Sequence, residues 1–371
     1  MSTNIEMVDL LSQHKKLEPE LIAVLQQVID NSAFIKGKEV GIFEQNLANF
    51  LQVSQVISCA NGTDALQIAL MALGLQPGDE VIIPAFTYVA TAEVIALLGL
   101  TPVMVDVEEE TFNISLPGIA AAITDKTKAI IPVHLFGQCS DMEPIMALAQ
   151  KHGLFVIEDN AQSLGAEYKM KKAGTIAHIG CTSFFPTKNL GCMGDGGALM
   201  TNDPALAEKI RMIANHGQQK KYYHQVVGCN SRLDTLQAAI LNVKLPHLNQ
   251  YLDARKHAGV YYQNALKDFE YGTLPTNQPA SPPTYNQFTI KIKNGLRDQL
   301  KDFLASKGIP TMIYYPLPLY KQEAFKKYVA EGFSLSFTER LCQSVLSLPI
   351  HTEMTEEQLK FISDILLKFH P

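Results

Sequence analysis

The chain has 371 residues, 31 basic against 37 acidic for a net charge of −6, with 47% hydrophobic and 18% charged residues. That balance describes a globular protein long enough for about two domains, and the lack of a basic surplus argues against a nucleic-acid partner. No run reaches the ~20 apolar residues of a membrane span, and the start lacks a basic-then-apolar leader. The six cysteines include no C-x-x-C pair, so neither a metal site nor a disulfide framework is expected and a cytoplasmic location is.

From Gln55 onward, short β-rich runs alternate with helical patterns. "QVISC" precedes "TDALQIALMALGL", "EVIIP" precedes "TYVATAEVIALLG", and "TPVMVDV" precedes a short helical stretch. "AIIPVHL", a helix from Met142 to Lys151 and "LFVIEDN" follow. The strand runs are apolar at both alternations, which predicts an α/β domain with a largely parallel sheet covered on both faces. Their ends, "NGTDA", "PAFTY", "EDNAQ" and "SFFPTK", are polar or glycine-rich, and ligands of such sheets gather at that edge. Past Gly228 the chain reads as a long helical region that should break at Pro246. "PTNQPASPP" then reads as a loop, and "NQFTIKI", "LRDQLKDFLASKG", "PTMIYYP" and a final helix read as a smaller α+β domain.

Three features at the strand ends carry chemistry. Asp159 follows an apolar strand, Lys188 lies 29 residues later between aromatic and glycine-rich runs, and Gly62–Thr63 open a helix. Read singly, each has an ordinary alternative: a helix cap, a surface lysine, a capped turn. Together they suit pyridoxal phosphate, which needs an acid against its ring nitrogen, a lysine for its Schiff base and an anion site for its phosphate. A lysine in a dry site also loses its proton more readily and becomes a nucleophile. Tyr88 could stack on the ring.

The runs "CANGTDALQIAL", "GDEVIIPAFTYVATAEVIALLG", "VIEDNAQSLGA", "TSFFPTKNLGCMGDGGALMTND", "HGQ" and "GCNSRLDTLQAAIL" resemble the pyridoxal-phosphate-dependent nucleotide-sugar aminotransferases of the DegT/DnrJ/EryC1/StrS family over nearly the whole chain. The resemblance implies a type I, aspartate aminotransferase-like fold, with a large domain over 1–245 and a small C-terminal domain over 246–371. It also implies a homodimer whose active sites lie between subunits. Lys188 is then the Schiff-base lysine and proton carrier, Asp159 the partner of the pyridine nitrogen, Gln162 a neighbour of the cofactor's phenolic oxygen and Tyr88 the stacking ring. Gly62, Thr63 and Ser183 would hold the phosphate with Asn230 of the other subunit, and Arg232 would face the nucleotide-sugar. Some family members carry His in place of this lysine and dehydrate sugars, so Lys188 implies transamination.

"PTMIYYPLPLYKQEAF" is similar to the family's substrate-side "HYP-x-PL-x-x-Q" segment, with Tyr314 in place of the His and Tyr315 beside it. The likeness is nearest to enzymes that aminate C3 of a UDP-linked 2-acetamido-3-keto-hexuronic acid for surface polysaccharide such as O-antigen, with glutamate as donor. Lys220, Lys221 and Arg232 are candidates to meet the uronate. The alternatives are a dTDP- or UDP-linked 3- or 4-keto-6-deoxy sugar, or a regulatory protein that has kept the fold and lost catalysis. An NAD-dependent oxidoreductase is disfavoured because "GCMGDGG" lacks the G-x-G-x-x-G order and follows the lysine.

Overall fold

The computed structural model describes residues 5–371. Two helices, α1 (Leu10–Asn31) and α2 (Lys38–Leu51), open it. Asp9 caps α1 by accepting the Ser12 N–H at 2.9 Å, and α1 buries Leu17, Leu21 and Val28. On α2, Phe43, Leu47 and Leu51 recur at helical spacing and enter a core cluster with Phe184, Leu190 and Cys192. That cluster underlies the turn carrying Lys188.

The central sheet has seven strands: β1 (Gln55–Cys59), β2 (Glu80–Pro84), β3 (Thr101–Val105), β4 (Thr127–Ile130), β5 (Phe155–Asp159), β6 (Ile179–Ser183) and β7 (Gly197–Thr201). Their order is β1-β7-β6-β5-β4-β2-β3. β7 runs antiparallel to both of its neighbours, β1 and β6, while the remaining pairings are parallel. Six strands therefore point the same way and end on one edge. The connecting helices are α3 (Gly62–Leu73), α4 (Ala90–Leu97), α5 (Leu116–Ala122), α6 (Met142–His152) and α7 (Pro204–Ala214). Burial of nearly every residue in β5, β6 and β7 explains why these runs lack alternation. All six cysteines are free, and five of them are buried.

The predicted break at Pro246 is present. α8 (Thr235–Lys244) and α9 (Leu248–Ala265) are separated by one 3-10 turn, Leu245–His247. α9 passes between two cores: Leu248 and Leu252 belong with Phe43 and Phe184, whereas Ala258 and Tyr262 belong to a C-terminal cluster. That second cluster is built on β8 (Phe288–Ile292), β9 (Val345–Leu348), α10 (Arg297–Ser306) and α12 (Glu356–Leu366). α11 (Ser336–Ser344) starts against the large sheet, where Asp106, just beyond β3, accepts the Phe337 and Thr338 N–H groups at 3.0 and 2.8 Å. With the Leu319 N–H bonded to the Ala85 carbonyl at 3.1 Å, these contacts fasten the 312–344 segment to the edge where the strands end.

Candidate active site

A cavity of about 690 Å³ opens at that edge. It is lined from β1–α3 by Asn61, Gly62, Thr63 and Asp64, from the β2–α4 turn by Thr87 and Tyr88, from β5 by Asp159 and Gln162, and from the β6 turn by Ser183 and Lys188. Tyr314, Tyr315 and Gln287 close it from the C-terminal part. The four polar strand ends thus converge as the α/β topology requires.

Asp159 ends β5 and is buried. Its Oδ2 accepts the Thr91 hydroxyl at 2.8 Å and its Oδ1 accepts the Ala161 N–H at 3.2 Å. Burial pushes its carboxyl above the usual carboxylate range, and the Thr91 hydrogen bond, the Ala161 N–H and the Lys188 amine oppose that push. Lys188 sits on a tight turn in which its N–H meets the Phe185 carbonyl at 2.9 Å and the Cys192 N–H meets the Phe184 carbonyl at 2.7 Å. Burial of the amine lowers it to about 8, with the Asp159 charge acting in the opposite sense. The flank of Lys188 keeps some accessible surface because it lines the cavity. Its amine is therefore both partly desolvated and reachable.

At the β1–α3 junction Asn61 caps the helix, its Oδ1 taking the Asp64 N–H at 2.8 Å and its carbonyl taking that of Ala65 at 3.1 Å. The Gly62 and Thr63 N–H groups, at the start of α3, have no intrahelical acceptor. A Cβ on Gly62 would come within 2.7 Å of Ser183 Cβ, so only glycine lets this helix start close against the end of β6. The result is a cradle of backbone donors and the Ser183 hydroxyl at the positive end of a twelve-residue helix.

Most of the sequence-predicted residues meet here: Gly62, Thr63, Tyr88, Asp159, Gln162, Ser183, Lys188, Tyr314 and Tyr315 all line one cavity. Tyr88 is 57% exposed, with its ring 6.3 Å from that of Tyr315. The Gln162 amide is occupied, accepting from the Phe136 N–H at 2.8 Å and donating to the Tyr315 hydroxyl at 3.1 Å. Asn230 and Arg232 do not line this cavity. Asn230 is exposed and bridges Asn215, and Arg232 is half-buried with no ion pair or hydrogen bond among the described residues. Lys220 and Lys221 are exposed, each lying over a neighbouring tyrosine ring, Tyr223 and Tyr222. Sequence reasoning missed Thr91, Asp195 and Gln287. Thr91 shares its short helix with a second polar residue, Glu93, and nothing local marks it out; Gln287 carried no signal either.

These residues fit pyridoxal phosphate. A buried carboxylate, Asp159, and the Lys188 amine face a common cavity, and the glycine-permitted cradle with its backbone donors suits a phosphate. Asp159 would hold the ring nitrogen, Lys188 the aldehyde carbon, and Gly62, Thr63 and Ser183 the phosphate.

The sequence pattern of the DegT/DnrJ/EryC1/StrS aminotransferase family matches residues 15–367. The chain is 46% identical to a "pleiotropic regulatory protein" of Geobacillus stearothermophilus, covering 99% of both chains. It is 47% identical to a UDP-2-acetamido-2-deoxy-3-oxo-D-glucuronate aminotransferase of Pseudomonas aeruginosa, over 96% of this chain and 98% of that protein. It is 44% identical to a UDP-N-acetyl-3-dehydro-alpha-D-glucosamine 3-aminotransferase of Acidithiobacillus ferrooxidans, over 98% of each. Among solved structures, S. venezuelae DesV in complex with a ketimine intermediate superposes with a TM-score of 0.95 at 36% identity, over 98% of each chain. The chain belongs to the DegT/DnrJ/EryC1/StrS aminotransferase family, with the type I fold, and is a pyridoxal-phosphate-dependent sugar-nucleotide aminotransferase.

Proposed function

We propose that the protein transfers the amino group of glutamate to C3 of a UDP-linked 2-acetamido-3-keto-glucuronic acid, giving the 3-amino sugar for surface polysaccharide such as O-antigen, in the cytoplasm. The observation that carries the catalytic part is the meeting of the Lys188 amine and the Asp159 carboxylate on one cavity. The 47% identity to a protein named for that uronate supports the sugar. Pyridoxal phosphate supplies an electron sink conjugated to the carbon that exchanges its amino group. Asp159 would hold the ring nitrogen in its protonated form, and Tyr88 would lie against the ring. Gly62, Thr63 and Ser183 anchor the phosphate, and Gln162 faces the phenolic oxygen with its amide plane fixed by Phe136 and Tyr315. With the cofactor bound, Lys188 Nζ would be the base that carries a proton to and from sugar C3, a role that suits an amine whose burial makes it give up its proton more readily than a free lysine. Tyr314 and Tyr315 border the sugar.

The working unit in this reading is a homodimer with shared sites. Among the described residues that line the cavity Lys188 is the only cation, against Asp64, Asp159 and Asp195. A diphosphate and a uronate need more positive charge than that. Arg232, half-buried without a partner among the described residues, supplies it to the neighbouring subunit's site, and Asn230 reaches the neighbour's phosphate. Exposed apolar side chains flank this run: Phe34 and Ile35, held at Thr235 and Asp234, Met193, tied to Gln237, and Val227, 85% exposed. Apolar surface concentrated at such a place marks an interface. A division into a cofactor-holding unit, 1–245, and a smaller unit, 246–371, is supported by the break at Pro246.

The test compares kcat/KM for the 3-keto uronate, its neutral 6-hydroxyl counterpart and a dTDP-linked 3-keto-6-deoxy sugar, each with glutamate. The uronate should be preferred, and Arg232→Gln should reduce its kcat/KM far more than that of either neutral sugar. Preference for a neutral sugar would retain the aminotransferase and reject this substrate. The A. ferrooxidans relative, named for the neutral glucosamine, makes that sugar the second reading. A fold that has lost catalysis, the reading suggested by the Geobacillus relative's name, would turn over none of the three.

A further inference from the structure

α4 is an apolar helix that buries Ala90, Ala92, Val94 and Ile95, and with them one polar residue, Thr91. Thr91 has no accessible surface. A hydroxyl buried among aliphatic side chains is costly unless bonded, and a helical threonine ordinarily bonds back to a carbonyl three or four residues earlier. Thr91 instead donates across elements to Asp159 Oδ2 at 2.8 Å. Tyr88 stands three residues before it on the cavity wall, so one turn of chain sets both a ring at the cavity and a hydroxyl against the carboxylate. The other carboxylate oxygen accepts the longer Ala161 N–H bond, at 3.2 Å. A hydroxyl that donates a hydrogen bond to a buried carboxylate stabilises the anion, because the bond is stronger to a charged oxygen than to a neutral one.

We propose that Thr91 is a positioning residue for Asp159: its hydroxyl fixes the carboxylate's orientation at the cavity and favours the anion, the form that pairs with a protonated pyridine nitrogen. This rests on the cofactor and not on the choice of sugar, so failure of the sugar reading leaves it standing. Thr91→Val keeps the size and β-branching of the side chain and removes the hydroxyl, while Thr91→Ser keeps the hydroxyl and removes the methyl. Two quantities are read on cofactor-depleted protein reloaded with pyridoxal phosphate: the dissociation constant, by equilibrium dialysis, and the pH titration of the bound cofactor's absorbance. Thr91→Val should bind the cofactor about tenfold to a hundredfold more weakly, the effect of losing a hydrogen bond to a charged group, and should shift the absorbance titration. Thr91→Ser should stay within about threefold of the wild type, since its hydrogen bond persists. Should Thr91→Val fail to fold, Thr91→Ala against Thr91→Ser makes the same comparison. Equal losses without and with the hydroxyl, or an absorbance titration that does not move when the hydroxyl is removed, would overturn the proposal.

Discussion

The environment of Lys188 predicts how fast the cofactor-free protein captures pyridoxal phosphate at each pH. Burial lowers the amine from 10.5 to about 8. At pH 7 roughly a tenth of the molecules then carry the neutral, nucleophilic amine, about 300-fold more than for a free lysine. Stopped-flow absorbance should show the second-order capture rate rising about tenfold per pH unit up to pH ~8 and levelling above it. Capture by a blocked free lysine, run in parallel, removes the cofactor's own ionisations from the comparison. Asp159 supplies a second arm: its charge raises the Lys188 amine, so Asp159→Asn should move the plateau to lower pH. A rate that keeps climbing beyond pH 10, or a plateau that moves upward in Asp159→Asn, would refute the assignment of the shift to burial opposed by that carboxylate.

Other perturbations follow from the same geometry. Gly62→Ala places a methyl 2.7 Å from Ser183 Cβ; overpacking of about 1–3 kcal/mol at the phosphate cradle should weaken cofactor binding about fivefold to a hundredfold, measured by dialysis, with little loss of fold. Lys244 is buried, and its amine, lowered to about 8, donates to the Gly191 carbonyl at 2.6 Å, with no carboxylate partner among the described residues. The unfolded chain binds this proton more tightly between about pH 8 and 10.5, so the burial cost of about 3 kcal/mol is complete below pH 8 and fades as pH rises. After about 1 kcal/mol for the lost hydrogen bond, Lys244→Met should be about 2 kcal/mol more stable than wild type in urea at pH 7 and lose that advantage near pH 10; a difference independent of pH would contradict this. For the shared site, inactive Lys188→Ala and Asn230→Asp subunits should regain activity when mixed, and heterodimers that form without any recovery would assign both residues to their own chain.

Much of the site was legible in the sequence because strands end in chemistry. Asp159, Ser183 and the Gly62–Thr63 pair stand directly at the carboxyl ends of apolar runs, and the parallel topology alone brings such ends together. Lys188 was legible from its company, since glycines and aromatics around a lysine announce close packing. Thr91 was not, because its partner lies 68 positions away and its helix also carries Glu93, so nothing local says which polar side chain turns inward. Gln287 was invisible for a related reason: it precedes an ordinary strand, and only the docking of the 312–344 segment and β8 onto the sheet edge places it at the cavity. The helices before Gln55 carry no alternation with strands and went unread, although α2 supplies the floor beneath the Lys188 turn. The break at Pro246 was legible from its backbone effect, but the passage of α9 from one core to the other, between Leu252 and Ala258, was not. Backbone breaks are written in single residues; a change of packing partner is written in contacts that the sequence alone does not carry.

If Lys188 serves the transfer of an amino group from glutamate to a keto-sugar nucleotide, the nitrogen of isotope-labelled glutamate must reach the sugar. The holoenzyme is incubated with nitrogen-labelled glutamate and the UDP-linked 3-keto uronate, and the sugar nucleotide is analysed by mass spectrometry. Labelled nitrogen should appear on C3 of the sugar with the wild type, and at a rate lower by several orders of magnitude with Lys188→Ala, general acid–base work alone being worth about 10²–10⁴. Label appearing at comparable rates with Lys188→Ala, or in no keto-sugar nucleotide offered to the wild type, would contradict it.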